Sequence, residues 1–257
     1  MARKVSLASR LRASGVTEVA RAESWVSSPV FAPLVQNEDF WRELSASAHP
    51  DQVLVCLINL LEAIEGTGEY LAENPHQRAL VIAICGVSRF AGDYLNSHPQ
   101  LLSQLEVSQS EAYWDGKRYQ VSQELDFVER YRAQVRQEIL QAVNAQEIRS
   151  DTWIAQESNL NDLRRAYRAQ LLQIIAEDAS HPDPLAFFSV VAGKLSALTD
   201  ATLEGALALA RGKYDPAGEV DFAVIALGKT GSGELNYHSD IDLIYVAEPA
   251  ENGSLNE

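Results

Sequence analysis

The sequence predicts a mainly α-helical protein, helical over residues 1–214, whose residues 215–257 begin an α+β unit. Three observations carry this. Apolar residues recur at helical spacing through most of residues 5–211. The character then changes at the turn-forming stretch Gly212-Lys-Tyr-Asp-Pro-Ala-Gly218. Beyond it, the apolar run Val220–Leu227 is followed by a glycine turn and a second apolar run entered through two aspartates.

The clearest predicted helices cover about 51–65, 77–95, 122–146, 157–178 and 185–211. Asn74-Pro75 precedes the second, with Asn74 or a neighbour placed to cap it. In the fourth, Leu160, Leu163, Tyr167, Leu171 and Ile174 form one apolar stripe. Arg164, Arg165 and Arg168 fall mostly off that stripe, and read either as a solvated face or as a basic patch facing a phosphate or an acidic partner. Asp183 is placed to cap the fifth helix, with Pro184 in its first turn. His98-Pro99 and Ser180-His-Pro-Asp-Pro184 mark breaks, because a residue before proline is biased away from helix. Trp114–Tyr119 reads as a loop. Val220–Leu227 suits a strand buried on both faces. A short helix beginning near Glu234 and a strand over about 241–246 complete the order.

The 257 residues carry a formal charge of −15, and the pI near 4.7 argues against a nucleic-acid partner, since phosphate neutralisation needs a basic surface. No apolar run approaches the roughly 20 residues that span a bilayer, and the start lacks a signal peptide's apolar block. A cytoplasmic setting without membrane contact is therefore expected. Cys56 and Cys85 sit in apolar helical surroundings and read as buried small hydrophobes. The five histidines show no zinc-ligand spacing.

The chemistry concentrates in Gly228-Lys-Thr-Gly-Ser-Gly-Glu-Leu-Asn-Tyr-His-Ser-Asp-Ile-Asp242. Glycines allow backbone N–H groups to converge on a phosphate. Residues i and i+2 of a strand share a face, so Asp240 and Asp242 are predicted to project together, with Ile241 and Leu243 directed into a core. Paired carboxylates beside a phosphate-cradling turn suit Mg²⁺-dependent phosphoryl or nucleotidyl transfer. A Walker A loop is excluded because its first glycine would fall on Ala223. An EF-hand is excluded because Ile244 and Tyr245 occupy positions needing an oxygen ligand and a glycine.

This string resembles the DNA polymerase β-like nucleotidyltransferases. Within them, Gly228-Lys-x-Gly231…Glu234-Leu-Asn-x-x-Ser-Asp-Ile-Asp242 resembles the signature of bacterial glutamine synthetase adenylyltransferase/adenylyl-removing enzymes. Thr230 and Ser232 depart from that family's Gly-Lys-Leu/Met-Gly-Gly pattern. Weaker likenesses reach upstream through Gly86–Leu102, Leu163–Ile175 and Leu195–Leu203, so the resemblance covers roughly residues 80–246.

The resemblance implies a helical domain over 1–214 and an incomplete polymerase β-like nucleotidyltransferase domain over 215–257. It implies a multifunctional, ATP-using enzyme of nitrogen metabolism that acts on glutamine synthetase. The adenylyl-removing half, which releases ADP by phosphorolysis, is the closer likeness. Asp240 and Asp242 would hold Mg²⁺ and act catalytically, and Gly231 and Ser232 would bind the phosphate. Ser239 would orient the aspartates, and Lys229 would supply charge or be merely solvated. Glutamine synthetase is the implied partner, with a PII-type nitrogen-signalling protein as a second.

Such sites take a third carboxylate from a later strand. Glu248 and Glu251 follow too closely, and Asp221 lies about 20 Å from the turn at ~3.3 Å per residue. The chain is therefore expected to be a fragment, inactive by itself. A non-catalytic helical interaction module and another small-molecule nucleotidyltransferase are the competing readings.

Overall fold

The computed structural model describes residues 6–105, 121–155 and 160–250. It divides into two units, Met1–Ser108 with Ile175–Pro182, and Gln109–Ile174 with Asp183–Glu257. The fold is mainly α, as the periodicity predicts. This division by packing is a different partition from the change of composition near residue 215.

The first unit strings together α1 (Leu7–Ala13), α2 (Val19–Val26), α3 (Ala32–Val35), α4 (Glu38–Ala46), α5 (Pro50–Ala63), α6 (Thr67–Glu73), α7 (Pro75–Val87) and α8 (Arg89–Ser97). Local chemistry sets their ends. Ser6 accepts from Ser9 N–H, Asn37 from Asp39 N–H and Ser88 from Ala91 N–H, each satisfying a first-turn donor. Pro50 and Pro75 occupy first-turn positions, where a missing N–H costs nothing.

Two corrections arise here. Asn74 does not cap α7 with its side chain; its amide donates to Tyr70 O instead. The helix expected over 77–95 breaks at Ser88, which is extended at φ −139° and restarts the chain as the cap of α8. Within the unit, Leu11, Phe40, Leu54, Leu57, Leu60 and Ile84 are buried. The buried Arg78 donates to both Glu43 oxygens and to the carbonyls of Leu71 and Ala72. Cys56 and Cys85 are buried, as expected. They are also joined as a disulfide, a pairing that the reading as separate small hydrophobes omits.

The second unit begins with α9 (Val121–Ala142). The antiparallel hairpin β1 (Ala145–Arg149) and β2 (Thr152–Ala155) follows. This hairpin corrects the expectation of helix to residue 146. Asn144 at φ 51° and Asp151 at φ 55° adopt the left-handed conformation, which ends α9 and turns the hairpin. Helix α10 (Leu160–Ser180) carries the predicted stripe: Leu163 and Ile174 join the core, Tyr167 and Leu171 pack against it, and Leu160 is exposed. The expected loop at Trp114–Tyr119 lies outside the described residues.

Helix α11 (Pro184–Tyr214) starts as predicted, with Asp183 accepting from Ala186 N–H and Pro184 in the first turn. By length and composition α11 could cross a bilayer, which the sequence survey did not foresee. In this fold Val190, Val191, Leu195, Leu198, Ala201 and Ala208 sit in the core of the second unit. Both of its acidic residues find protein partners: Asp200 pairs with Arg132, and Glu204 takes a two-pronged bond from Arg136 at 2.7 Å.

At the end of α11, Asp215 closes the linker by accepting from the amides of Glu219 and Val220. Strand β3 (Val220–Ala226) follows, then α12 (Gly228–Ser232) and β4 (Leu243–Pro249). β3 and β4 pair antiparallel, Ala226 opposite Leu243 and Val220 opposite Pro249. The expectation that β3 is buried on both faces fails. Ile225 is 46% exposed and its cross-strand neighbour Ile244 is equally so.

Candidate active site

The turn between β3 and β4 is built by steric necessity. A Cβ on Gly231 would lie 2.4 Å from the Ala226 carbonyl oxygen, so only glycine lets the turn fold back onto its own strand. Gly228 and Gly233 bracket it with φ of +54° and +74°. The helical residues are those of the glycine turn itself, Gly228–Ser232. The short helix expected to begin near Glu234 is thus displaced to the turn before it.

Hydrogen bonds then wind the segment. Gly231 N–H donates to Leu227 O, and Glu234 N–H to Lys229 O. The first-turn amides of Gly228, Lys229 and Thr230 have no acceptor within so short a helix. The Ser232 hydroxyl lies within hydrogen-bond reach of Lys229 O at 3.3 Å and Glu234 Oε2 at 3.2 Å, and its single hydrogen is donated to one of them at a time. Thr230 is buried with no partner for its Oγ1 among the described residues, at a position where the resembling motif carries an apolar side chain. Asn236 Oδ1 accepts from His238 N–H, and Ser239 Oγ accepts from Asn236 N–H. Ser239 is thereby engaged with the loop that precedes the aspartates.

Asp240 and Asp242 precede β4 rather than lying on it, and both are exposed. Leu227 N–H donates to Asp242 O at 2.9 Å, which extends the β3–β4 register by one residue and fixes Asp242 beside the start of the turn. A Cβ on Gly228 would lie 3.8 Å from Asp242 Oδ2. One carboxylate and the glycine turn are therefore brought together. Ile241 does not point into a core; it is 47% exposed, and Leu243 is half-buried. Lys229 is exposed.

Two exposed carboxylates with hard oxygen donors fit Mg²⁺, which is commonly bound by one or two carboxylates together with substrate phosphates. Among the described residues no group of three or more His, Cys, Asp or Glu could hold a metal ion. Asp221 sits at the far end of β3, opposite Glu248, and pairs with Arg149. One anchor of this segment escaped sequence reasoning. The buried Ser196 of α11 accepts a hydrogen bond from Leu235 N–H, and a lone serine in an apolar helix carries no signal for it.

Comparison with known proteins bears on what this geometry serves. The family model described as glutamate-ammonia ligase adenylyltransferase matches residues 78–256. A bifunctional glutamine synthetase adenylyltransferase/adenylyl-removing enzyme from Bifidobacterium longum (strain DJO10A) is 34% identical over 217 residues, covering 81% of this chain and 19% of that protein. The enzyme of the same name from Streptomyces avermitilis is 31% identical over 256 residues, covering 96% of this chain and 22% of that protein. One from Cutibacterium acnes is 46% identical over 88 residues, covering 34% of this chain and 9% of that protein. The chain spans about a fifth of the length of the first two relatives.

Proposed function

The chain belongs to the glutamate-ammonia ligase adenylyltransferase family, and we propose on that premise that it serves adenylyl transfer on glutamine synthetase. The side of the reaction we propose is removal. An oxygen of inorganic phosphate attacks the α-phosphorus of adenylyl-tyrosine, the bond from phosphorus to the tyrosine oxygen breaks, and ADP and a tyrosine hydroxyl result. Adenylylation from ATP would belong to the full-length enzyme. The observation that carries the reading is the placement of Asp242 Oδ2 over Gly228, 3.8 Å from where a Cβ would sit, within a string that resembles the family's motif and departs from it at Thr230 and Ser232.

Asp240 and Asp242 would hold Mg²⁺. Bound there, the ion would supply neutralisation of charge on the phosphoryl oxygens. The turn from Gly228 to Ser232 would seat the phosphate, with Gly231 keeping the turn tight against Ala226 and the Ser232 hydroxyl at its rim. Lys229 would add positive charge, and Ser239 would hold the loop from which Asp240 emerges. Residues 215–257 would open the nucleotidyltransferase domain and residues 1–214 form a helical one. Glutamine synthetase would be the protein substrate and a PII-type nitrogen-signalling protein the regulator. The setting would be cytoplasmic, without nucleic acid or membrane, in keeping with the charge of −15. The isolated chain would lack turnover, because the described residues contribute two carboxylates to the site and no third.

The test uses the 257-residue chain with adenylylated and unmodified glutamine synthetase. Preferential binding of the adenylylated form is expected, with no ADP released on adding phosphate and Mg²⁺. Equal affinity for both forms would overturn the assignment to removal. Release of ADP would instead overturn the view that the site is incomplete.

A further inference from the structure

Between Gly233 and Asp242 the chain is mostly exposed and bonded to itself. Leu235 is the exception. It is 4% exposed and joins the apolar core built around α11, whereas Glu234, Asn236, Tyr237 and His238 are all exposed. Its backbone N–H donates to Ser196 Oγ at 3.3 Å. Ser196 is itself 1% exposed and donates its hydroxyl hydrogen to Ala192 O, one turn back, at 2.9 Å. That back-bond uses the hydroxyl's only hydrogen and directs a lone pair at Leu235 N–H. A single oxygen thus ties the loop that follows the glycine turn to the rigid helix beneath it.

We propose that Ser196 is a positioning residue of the candidate metal site: it sets the depth at which the Glu234–Ser239 loop docks on α11, and through the loop the placement of Asp240 relative to Asp242, which the register of β3 and β4 holds. The inference rests on the reading of those aspartates as metal ligands. Leu235 supplies apolar attachment, which is non-directional. The Ser196 bond supplies direction, because an N–H buried without its acceptor is costly. Residues that orient metal ligands from behind control affinity without touching the metal.

The test measures Mn²⁺ binding to the 257-residue chain by paramagnetic broadening of the Asp240 and Asp242 amide signals. Ser196→Ala is expected to weaken binding by about 10-fold or more while the signals of the α11 core stay in place. Thr202→Ala serves as control: Thr202 makes the same kind of back-bond to Leu198 O at 2.7 Å, and its loss should leave the affinity unchanged. Ser196→Ala binding Mn²⁺ as tightly as the unsubstituted chain would overturn this inference alone. Mn²⁺ binding that survives Asp240→Asn/Asp242→Asn would overturn the metal-site reading, and this inference with it. Hydrogen exchange on the unsubstituted chain gives a check independent of any variant. The Leu235 amide should exchange slowly, and exchange at the rate of an unprotected amide would remove the anchor.

Discussion

Thr230 offers the sharpest test of how the glycine turn is packed. Its side chain is 5% exposed and its hydroxyl has no partner among the described residues. The substitution Thr230→Val keeps the shape and the β-branching and replaces only the hydroxyl by a methyl. Burying a hydroxyl without a hydrogen bond costs about 1–3 kcal/mol, so removing it should stabilise the second unit by an amount in that range. At about 1.5 kcal/mol, and with a urea m-value of ~1–3 kcal/mol/M, the midpoint should rise by roughly 0.5–1.5 M at unchanged m. The transition to follow is that of the second unit, because two units need not unfold together. Exchange of the Gly231 and Leu235 amides reports it directly, and their protection should grow by the same free energy. A neutral or destabilising Thr230→Val would refute the reasoning, since it would mean that the hydroxyl is hydrogen-bonded in solution.

Two further outcomes follow from the geometry. Gly231→Ala would place a Cβ 2.4 Å from the Ala226 carbonyl oxygen; overpacking of this kind typically costs about 1–3 kcal/mol, and Mn²⁺ titration should show a weakened Asp240/Asp242 site alongside the lowered denaturation midpoint. The carboxyl of Asp51 feels burial, which pushes its pKa up, but hydrogen bonds from the Glu18 and Thr17 amides, the Thr17 hydroxyl and its own amide hold it below the usual aspartate value. Its stabilisation of the first unit should therefore be complete above pH ~4 and fade as pH falls through the depressed folded value, so that Asp51→Asn and the unsubstituted chain converge in urea midpoint only in acid.

The parts of this fold that were legible in the sequence are those fixed by local chemistry. Asp183 and Pro184 announce the start of α11 because a cap and a first-turn proline act within one helical turn. The glycine turn could be read because its glycines stand where the backbone needs them, whereas the alternation expected of Asp240 and Asp242 presupposed a strand that begins only at Leu243. The hairpin β1–β2 was not legible, because Gln146, Glu147 and Arg149 are ordinary helix formers and the decisive event is a left-handed Asn144. Ser88 likewise reads as one more residue of a long helix until its side chain is seen turned back to cap α8.

The aspartates show why the strand boundary matters more than the strand. Period-two alternation predicts a shared face for Asp240 and Asp242 only if both lie on the strand, yet β4 begins at Leu243. What fixes Asp242 instead is the bond from Leu227 N–H to its carbonyl, one step beyond the paired residues. Among the described residues Asp240 makes no such ladder bond. Its placement depends on the loop behind it, which hangs from Leu235 and Ser196. The two carboxylates are thus held by different means, one by the register of β3 and β4 and the other by a side-chain oxygen of α11. No pattern within the motif could carry the second constraint, because its donor and its acceptor lie 39 residues apart. A site divided in this way should respond unequally to damage: loosening the loop should displace Asp240 first, while the sheet keeps Asp242 beside Gly228.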